Sequence, residues 1–180
     1  MDVMINLETM STEPNAAIVA IGAVEFDADS GQLGREFYTA VDLFSCQQAG
    51  MHVGALTVGW WMRQRQEARE ALFLEAKDIR QALALFSYWL ERSDHVNSQG
   101  MWGSGVDFDN VILQQAYTQN GMAARWGHRQ NRCYRTLCAL VPEHKIPFKR
   151  VGTHHNALDD AKSQALHAIK IFRHLNGQAL

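Results

Sequence analysis

Carboxylates, an amide and a histidine gather at three places in this chain, each where an irregular stretch meets a regular one. Asn6-Leu7-Glu8 closes a short apolar run that begins at Val3. Asp107-Phe108-Asp109 follows the break Gly103-Ser104-Gly105, and His155-Asn156-Ala157-Leu158-Asp159-Asp160 opens a long amphipathic stretch. In an extended segment alternate side chains share a face, so residues 6 and 8 form a two-pronged oxygen site while Leu7 turns away. Oxygen donors converging from several elements suit hard divalent cations such as Mg²⁺. Two such ions about 3.5–4 Å apart can hold the attacking and the leaving oxygen together. The chemistry in view is metal-assisted hydrolysis.

Several neighbouring residues have a plainer reading. Asp107 is expected to cap the helix that follows it. Asn156 is expected to cap the last helix, with Asp159 at N3 as a capping-box-like partner, so Asp107 and Asp159 stay off the metal set. His154 reads as a bystander to His155. Trp60 and Trp61 can stack bases, at about 1–3 kcal/mol for each base stacked. Adjacent residues on a helix point apart, so at least one of the pair belongs to the core. Trp102 and Trp126 read as packing residues.

The elements that must position these groups follow from periodicity. Val3 to Leu7, Ala17 to Asp27 and Arg35 to Val41 read as strands, separated by the polar stretch Thr9–Asn15 and the turn Asp27-Ala28-Asp29-Ser30-Gly31. They suggest an antiparallel meander. From Thr57 the period becomes helical through Trp60, Trp61, Gln64, Ala68, Ala71 and Leu72. Asp78 predicts the N-cap of a helix carrying Ile79, Ala82, Leu83, Phe86, Trp89 and Leu90. Met101-Trp102 reads as a short strand, followed by a helix through Val111, Ile112, Gln115 and Ala116 that stops near Asn120-Gly121. Tyr134 to Val141 predicts a short helix, and Asn156 to Leu175 a long one. Strands first, then helices with a further strand between them, predict an α/β fold: a mixed sheet, antiparallel in its first three strands, flanked by helices.

The order and spacing of the three acidic motifs resemble the DEDDh branch of the DnaQ-like 3′–5′ exonucleases, in the RNase H-like superfamily. That family's Asp-x-Glu followed by Thr is matched by Asn6-Leu7-Glu8-Thr9, its aromatic-Asp by Phe108-Asp109, and its His-x-Ala-x-x-Asp by His155, Ala157 and Asp160. The stretch Pro14 to Val24 and the helix bearing Trp60, Trp61 and Gln64 are similar to a phage- and prophage-encoded subgroup grouped with 3′–5′ exoribonuclease-like domains. The resemblance implies two Mg²⁺ or Mn²⁺ ions held by residue 6, Glu8, Asp109 and Asp160, with Glu8 and His155 in the chemistry and His155 as general base. It implies stepwise release of nucleoside 5′-monophosphates from single-stranded DNA or RNA 3′ ends, or from short oligonucleotides. Thr9, Met10, Trp61 and Phe108 are expected to meet the terminal nucleotide, and Arg132 a phosphate. The chain departs from the family at Asn6, where a bridging carboxylate is expected. An amide supplies one neutral oxygen, so metal affinity and cleavage should both fall. Asn6 in an otherwise complete site is the pattern of an inactivated enzyme, with low or no activity. A nucleic-acid-binding protein that kept the fold and lost the chemistry is the alternative.

Length and composition agree with one domain over residues 1–180, which the resemblance implies is a single 3′–5′ exonuclease domain. The longest apolar run, Ala16 to Val24, is nine residues and falls short of the roughly 20 that span a bilayer. No membrane association is expected, and neither a secretion signal nor a disulfide framework is visible among three cysteines without a CxxC pair. The expected location is the cytoplasm, and the expected state a homodimer. The net charge of −2 conceals an asymmetry. Between Gly121 and His155 seven cations (Arg125, Arg129, Arg132, Arg135, Lys145, Lys149, Arg150) face Glu143 alone, a balance of +6 that leaves −8 for the rest. A cationic strip leading into His155 would suit a phosphate backbone.

Overall fold

The computed structural model describes residues 1–93 and 100–177. Five strands form one sheet in the order β3-β2-β1-β4-β5: β1 (Asp2–Thr9), β2 (Ile18–Asp27), β3 (Gln32–Ala40), β4 (Met101–Gly103) and β5 (Asn131–Cys133). The first three run antiparallel, as the meander predicts, while β4 joins β1 and β5 joins β4 in parallel. The fold is the expected α/β sheet flanked by helices. Strand β5 escapes sequence reading because three residues are too few to display a period of two.

The helices are α1 (Leu43–Gln48), α2 (Ala55–Trp61), α3 (Gln66–Ala71), α4 (Ile79–Glu91), α5 (Val111–Gln119), α6 (Tyr134–Ala139) and α7 (Ala157–Leu175). Alternation along β1 divides them between two layers. Val3, Ile5 and Leu7 enter a core shared with Ile79, Leu83 and Phe86 of α4 and Ile112, Leu113 and Ala116 of α5. Met4, on the other face, joins Tyr134 and Leu137 of α6 and Ala161, Ala165 and Ile169 of α7. Residues 6 and 8 share the parity of Met4, which directs them to the α7 side.

Asp78 caps α4 by accepting the Arg80 N–H at 2.8 Å, as its sequence predicts. The helical stretch from Thr57 to Leu72 is corrected: it is two short helices, α2 and α3, interrupted at 62–65. Trp61 ends α2 because its ring is drawn into the core, which sets a new direction for the chain after it.

Helix α7 lies close on β1 and β2 because Ala157, Ala161, Ala165 and Ala168 are all fully buried, a stripe of small side chains at helical spacing. The closest approach is at Gly22 of β2. A Cβ built there would stand 2.1 Å from the Ala157 carbonyl carbon and 2.3 Å from the Leu158 nitrogen. Only glycine admits the start of α7 at this distance.

Candidate active site

The three acidic motifs converge at the junction of β1, the turn before α5 and the start of α7. Glu8 is supplied by β1, just before a register shift in the β1–β2 ladder between Glu8 and Thr9. Such a bulge re-aims the side chains around it. Asp109 comes from a wide π-type turn, Val106–Asn110, that leads into α5. The residue is buried and clamped by backbone donors: Oδ1 accepts the Leu7 N–H at 3.0 Å and Oδ2 the Ser104 N–H at 2.7 Å. The turn closes around Gly103, where a Cβ would meet the Asn110 amide oxygen at 2.4 Å. Asp107 does not cap the helix: no side-chain cap exists at this start, and Asp107 is exposed within the turn.

Asp160 stands one turn into α7. Its helix is capped by Asn156, whose side-chain oxygen accepts from Leu158 N at 3.1 Å and Asp159 N at 3.2 Å. Asp159 is not the reciprocal capping partner. Its carboxylate lies beneath Gly152, whose φ is +67°, and accepts the Thr153 N–H at 2.7 Å, anchoring the loop that carries the histidines. Asp160 Oδ2 accepts the His155 N–H at 3.2 Å, and Oδ1 is paired with Arg150. His155 holds the left-handed backbone, φ 63°, that is uncommon outside glycine and marks a constrained position. His154 is no bystander. Its ring stacks on that of His155 with centroids 3.6 Å apart, and donor atoms of His154, His155 and Asp160 all lie within 4.8 Å of one another.

The electrostatics follow from burial. Burial, reinforced by the charges of Asp160 and Asp109, pushes the Glu8 carboxyl up to about 8, with Arg150 opposing. Burial pushes Asp109 up to about 6, against the two backbone donors that favour its anion. His155 is moved the other way, below its ordinary value, by burial and by the neighbouring His154. Glu8 and Asp109, buried and raised above their ordinary values in spite of the Arg150 and Arg135 charges, are oxygen donors suited to a hard divalent cation. Glu8 feels the charges of both Asp160 and Asp109, whereas the group whose ligand atoms lie within 4.8 Å of one another among the described residues is His154, His155 and Asp160. Asn6 shares β1 with Glu8, and its Oδ1 accepts from Gln164 Nε2 of α7 at 3.0 Å.

Two cavities flank this cluster. One, of about 460 Å³, is lined by Glu8, Thr9, Ser11, Leu56, Trp60 and Phe108. The other, of about 760 Å³, includes Gln64, Arg65, Arg150, Thr153, His154 and His155. Thr9 and Phe108 line the first of these cavities. Met10 and Trp61 do not. Met10 is buried in the core, and Trp61, 4% exposed, gives its indole N–H to the Thr9 carbonyl at 2.9 Å. The accessible ring is Trp60, 37% exposed, edge-on to Trp61 at 5.1 Å and to His155 at 4.8 Å. Adjacent position on one helix made the pair indistinguishable in sequence; the depth at which α2 meets the core separates them. Arg132, on edge strand β5, gives its guanidinium to the carbonyls of Arg129 and Asn131 and lines neither cavity. Of the seven cations in the basic stretch, Arg125 pairs with Glu91 at 2.6 Å, whereas Arg150 reaches the acids. Arg150 belongs to the cationic strip read from the sequence, where nothing local set it apart from its neighbours, and Leu56 was missed for the same want of a local signal.

A model of the 3′-5′ exoribonuclease Rv2179c-like domain matches residues 1–172. No curated protein matches the sequence. Among solved structures, the nuclease domain of 3′hExo, a DEDDh family member bound to rAMP, superposes with a TM-score of 0.65 at 13% identity, over 97% of this chain and 92% of that one. E. coli Exonuclease I in complex with a dA16 oligonucleotide superposes at 0.61 and 13% identity, over 98% of this chain but 43% of that one. Exonuclease I from Methylocaldum szegediense gives 0.65 at 11% identity, over 97% and 42%. At these identities the likeness shows the fold alone: the DnaQ-like, RNase H-like fold of the exonucleases. Among the described residues no helix is long and apolar enough to cross a membrane. With its acids converging as the motifs require and a family model matching nearly its whole length, the chain belongs to the 3′-5′ exoribonuclease Rv2179c-like domain family.

Proposed function

We propose that this chain is a 3′–5′ exonuclease domain, residues 1–180, acting on the 3′ ends of short single-stranded nucleic acid, with activity reduced by Asn6. The observation that carries the reading is the convergence of three buried acids, Glu8, Asp109 and Asp160, next to the loop that carries His155. Mg²⁺ or Mn²⁺ would be held by these three acids with residue 6, and when bound it would activate water and stabilise charge on the leaving oxygen.

The chain's own residues supply the rest. Burial keeps the His155 imidazole neutral near working pH, ready to accept a proton from the attacking water. The stacked His154 and the Trp60 ring limit its swing. Thr9 and Phe108 form one wall for the terminal nucleotide, and Trp60 offers a stacking face at its mouth. Asn6 weakens the site twice over: it lacks the charge of a carboxylate, and Gln164 already occupies its oxygen.

The test is Asn6→Asp assayed on matched 3′-labelled DNA and RNA single strands with Mg²⁺ or Mn²⁺. Release of mononucleotides at a rate orders of magnitude above the native chain is expected, and the faster substrate identifies the preferred sugar. The amide at residue 6 favours one alternative, a binding protein of this fold without the chemistry. That reading predicts strand binding without metal and no gain of activity in Asn6→Asp.

A further inference from the structure

Among the described residues, Asp160 alone of the three acids is ion-paired, and its partner is Arg150. Arg150 Nη1 donates to Oδ1, while Oδ2 accepts the His155 N–H at 3.2 Å. Both oxygens of a metal-binding acid are therefore engaged within the protein. Arg150 also borders the cavity of about 760 Å³ that it shares with Arg65, Thr153, His154 and His155. Its guanidinium lies 5.4 Å from the Phe148 ring centroid, an aromatic face on which it can pivot. A divalent ion held by Glu8, Asp109 and Asp160 would compete with Arg150 for the Asp160 carboxylate, and the two cations would repel each other. A planar guanidinium released toward this cavity is a bidentate phosphate ligand.

We infer that Arg150 is an internal counter-ion of Asp160 and exchanges it for a backbone phosphate of the substrate when a divalent ion is bound. The inference rests on the exonuclease reading for the source of the phosphate, but the exchange itself is a property of Arg150 and the acids. The loop does not depend on this one side chain. Ser163 Oγ accepts the Val151 N–H at 2.9 Å, and Asp159 holds Thr153 N at 2.7 Å. Arg150→Gln should therefore leave the backbone in place.

The experiment compares the native chain, Arg150→Gln and Arg150→Lys, each also in the Asn6→Asp background. Mn²⁺ alone is titrated by calorimetry, and a fluorescent five-nucleotide single strand is bound in the presence of Ca²⁺. Exchange requires two effects of opposite sign. Removal of a partly exposed competing ion pair should tighten Mn²⁺ binding about two- to fivefold. Loss of the phosphate ligand should weaken the oligonucleotide about tenfold. Arg150→Lys should fall between native and Gln in both. A purely structural Arg150 would weaken Mn²⁺ binding on removal, with a lowered melting temperature, and that result overturns the inference. Unchanged Mn²⁺ affinity, unchanged oligonucleotide affinity, or no Mn²⁺ binding in any variant overturns it as well. If Asn6→Asp releases no nucleotide while the two opposed shifts appear, the exonuclease reading falls and the exchange stands.

Discussion

Gly22→Ala is the substitution on which the architecture of the site can be tested most directly. Gly22 pairs with Asn6 across the β1–β2 ladder, and the start of α7 rests on it. An added Cβ would lie 2.1 Å from the Ala157 carbonyl carbon, where ordinary contact begins at 3.4 Å. Both sides of this contact are backbone, so no rotamer can relieve it. Helix α7 must retreat at its N-terminal end by about 1.3 Å, carrying Asn156 and Asp160 with it. Overpacking of this kind costs about 1–3 kcal/mol, and a rigid backbone contact belongs at the upper end. For a chain of this size about 3 kcal/mol corresponds to a fall in melting temperature of roughly 6–12 °C. Because Asp160 moves relative to Glu8 and Asp109, Mn²⁺ affinity should fall by an order of magnitude or more; reacting groups displaced by about 1 Å commonly lose 10²-fold in rate. Thermal melting by circular dichroism and Mn²⁺ calorimetry measure the two effects. A Gly22→Ala protein that melts and binds Mn²⁺ like the native chain would refute the packing on which this site is built.

Three further outcomes are expected. Trp60→Ala should weaken oligonucleotide binding by about 1–3 kcal/mol with little change in melting. Trp61→Ala should instead cost about 3–5 kcal/mol of stability, because it empties a core site and removes the donor to Thr9. The metal-free protein should lose stability as pH rises from 4.5 toward 8. Native Glu8 keeps its proton to about 8 where the unfolded chain releases it near 4.5, so deprotonation favours unfolding across that window. Denaturant unfolding in chelator should show a falling slope that Glu8→Gln flattens; stability that climbs with pH through this window would contradict the burial argument. Glu25 behaves oppositely. Burial alone would raise its carboxyl, but the Arg35 fork, with contacts of 2.6 and 3.0 Å, outweighs it and holds the carboxyl below the usual range. Glu25→Gln should cost about 1–2 kcal/mol near neutral pH, after allowance for the half-exposed arginine. The deficit should shrink as pH falls below 4.5 and the native carboxylate is protonated.

Much of the fold is legible because its causes are local. The alternation through Val3, Ile5 and Leu7 commits β1 to two faces, and with them sends residues 6 and 8 to one side. Asn156 and Asp78 start their helices by capping donors two or three residues away, and the apolar spacing of α4 and α7 follows from 3.6 residues per turn. Where a local rule met a competing partner it failed. Asp159 has the position of a capping-box acid but takes Thr153 N, and Trp61 ends α2 by burying its ring. The sequence by itself therefore determined most of the elements, though not α1, β5 or the break between α2 and α3, together with the order of the acids and the replacement of one of them by Asn6. Tertiary structure decided which tryptophan faces the site, which arginine reaches the acids, and that Gln164 occupies the Asn6 oxygen. These depend on residues as many as 158 positions apart in the chain, brought together only by the packing of α7 on β1 and β2. No period or spacing encodes such a contact, because its energy arises only once the layers have closed.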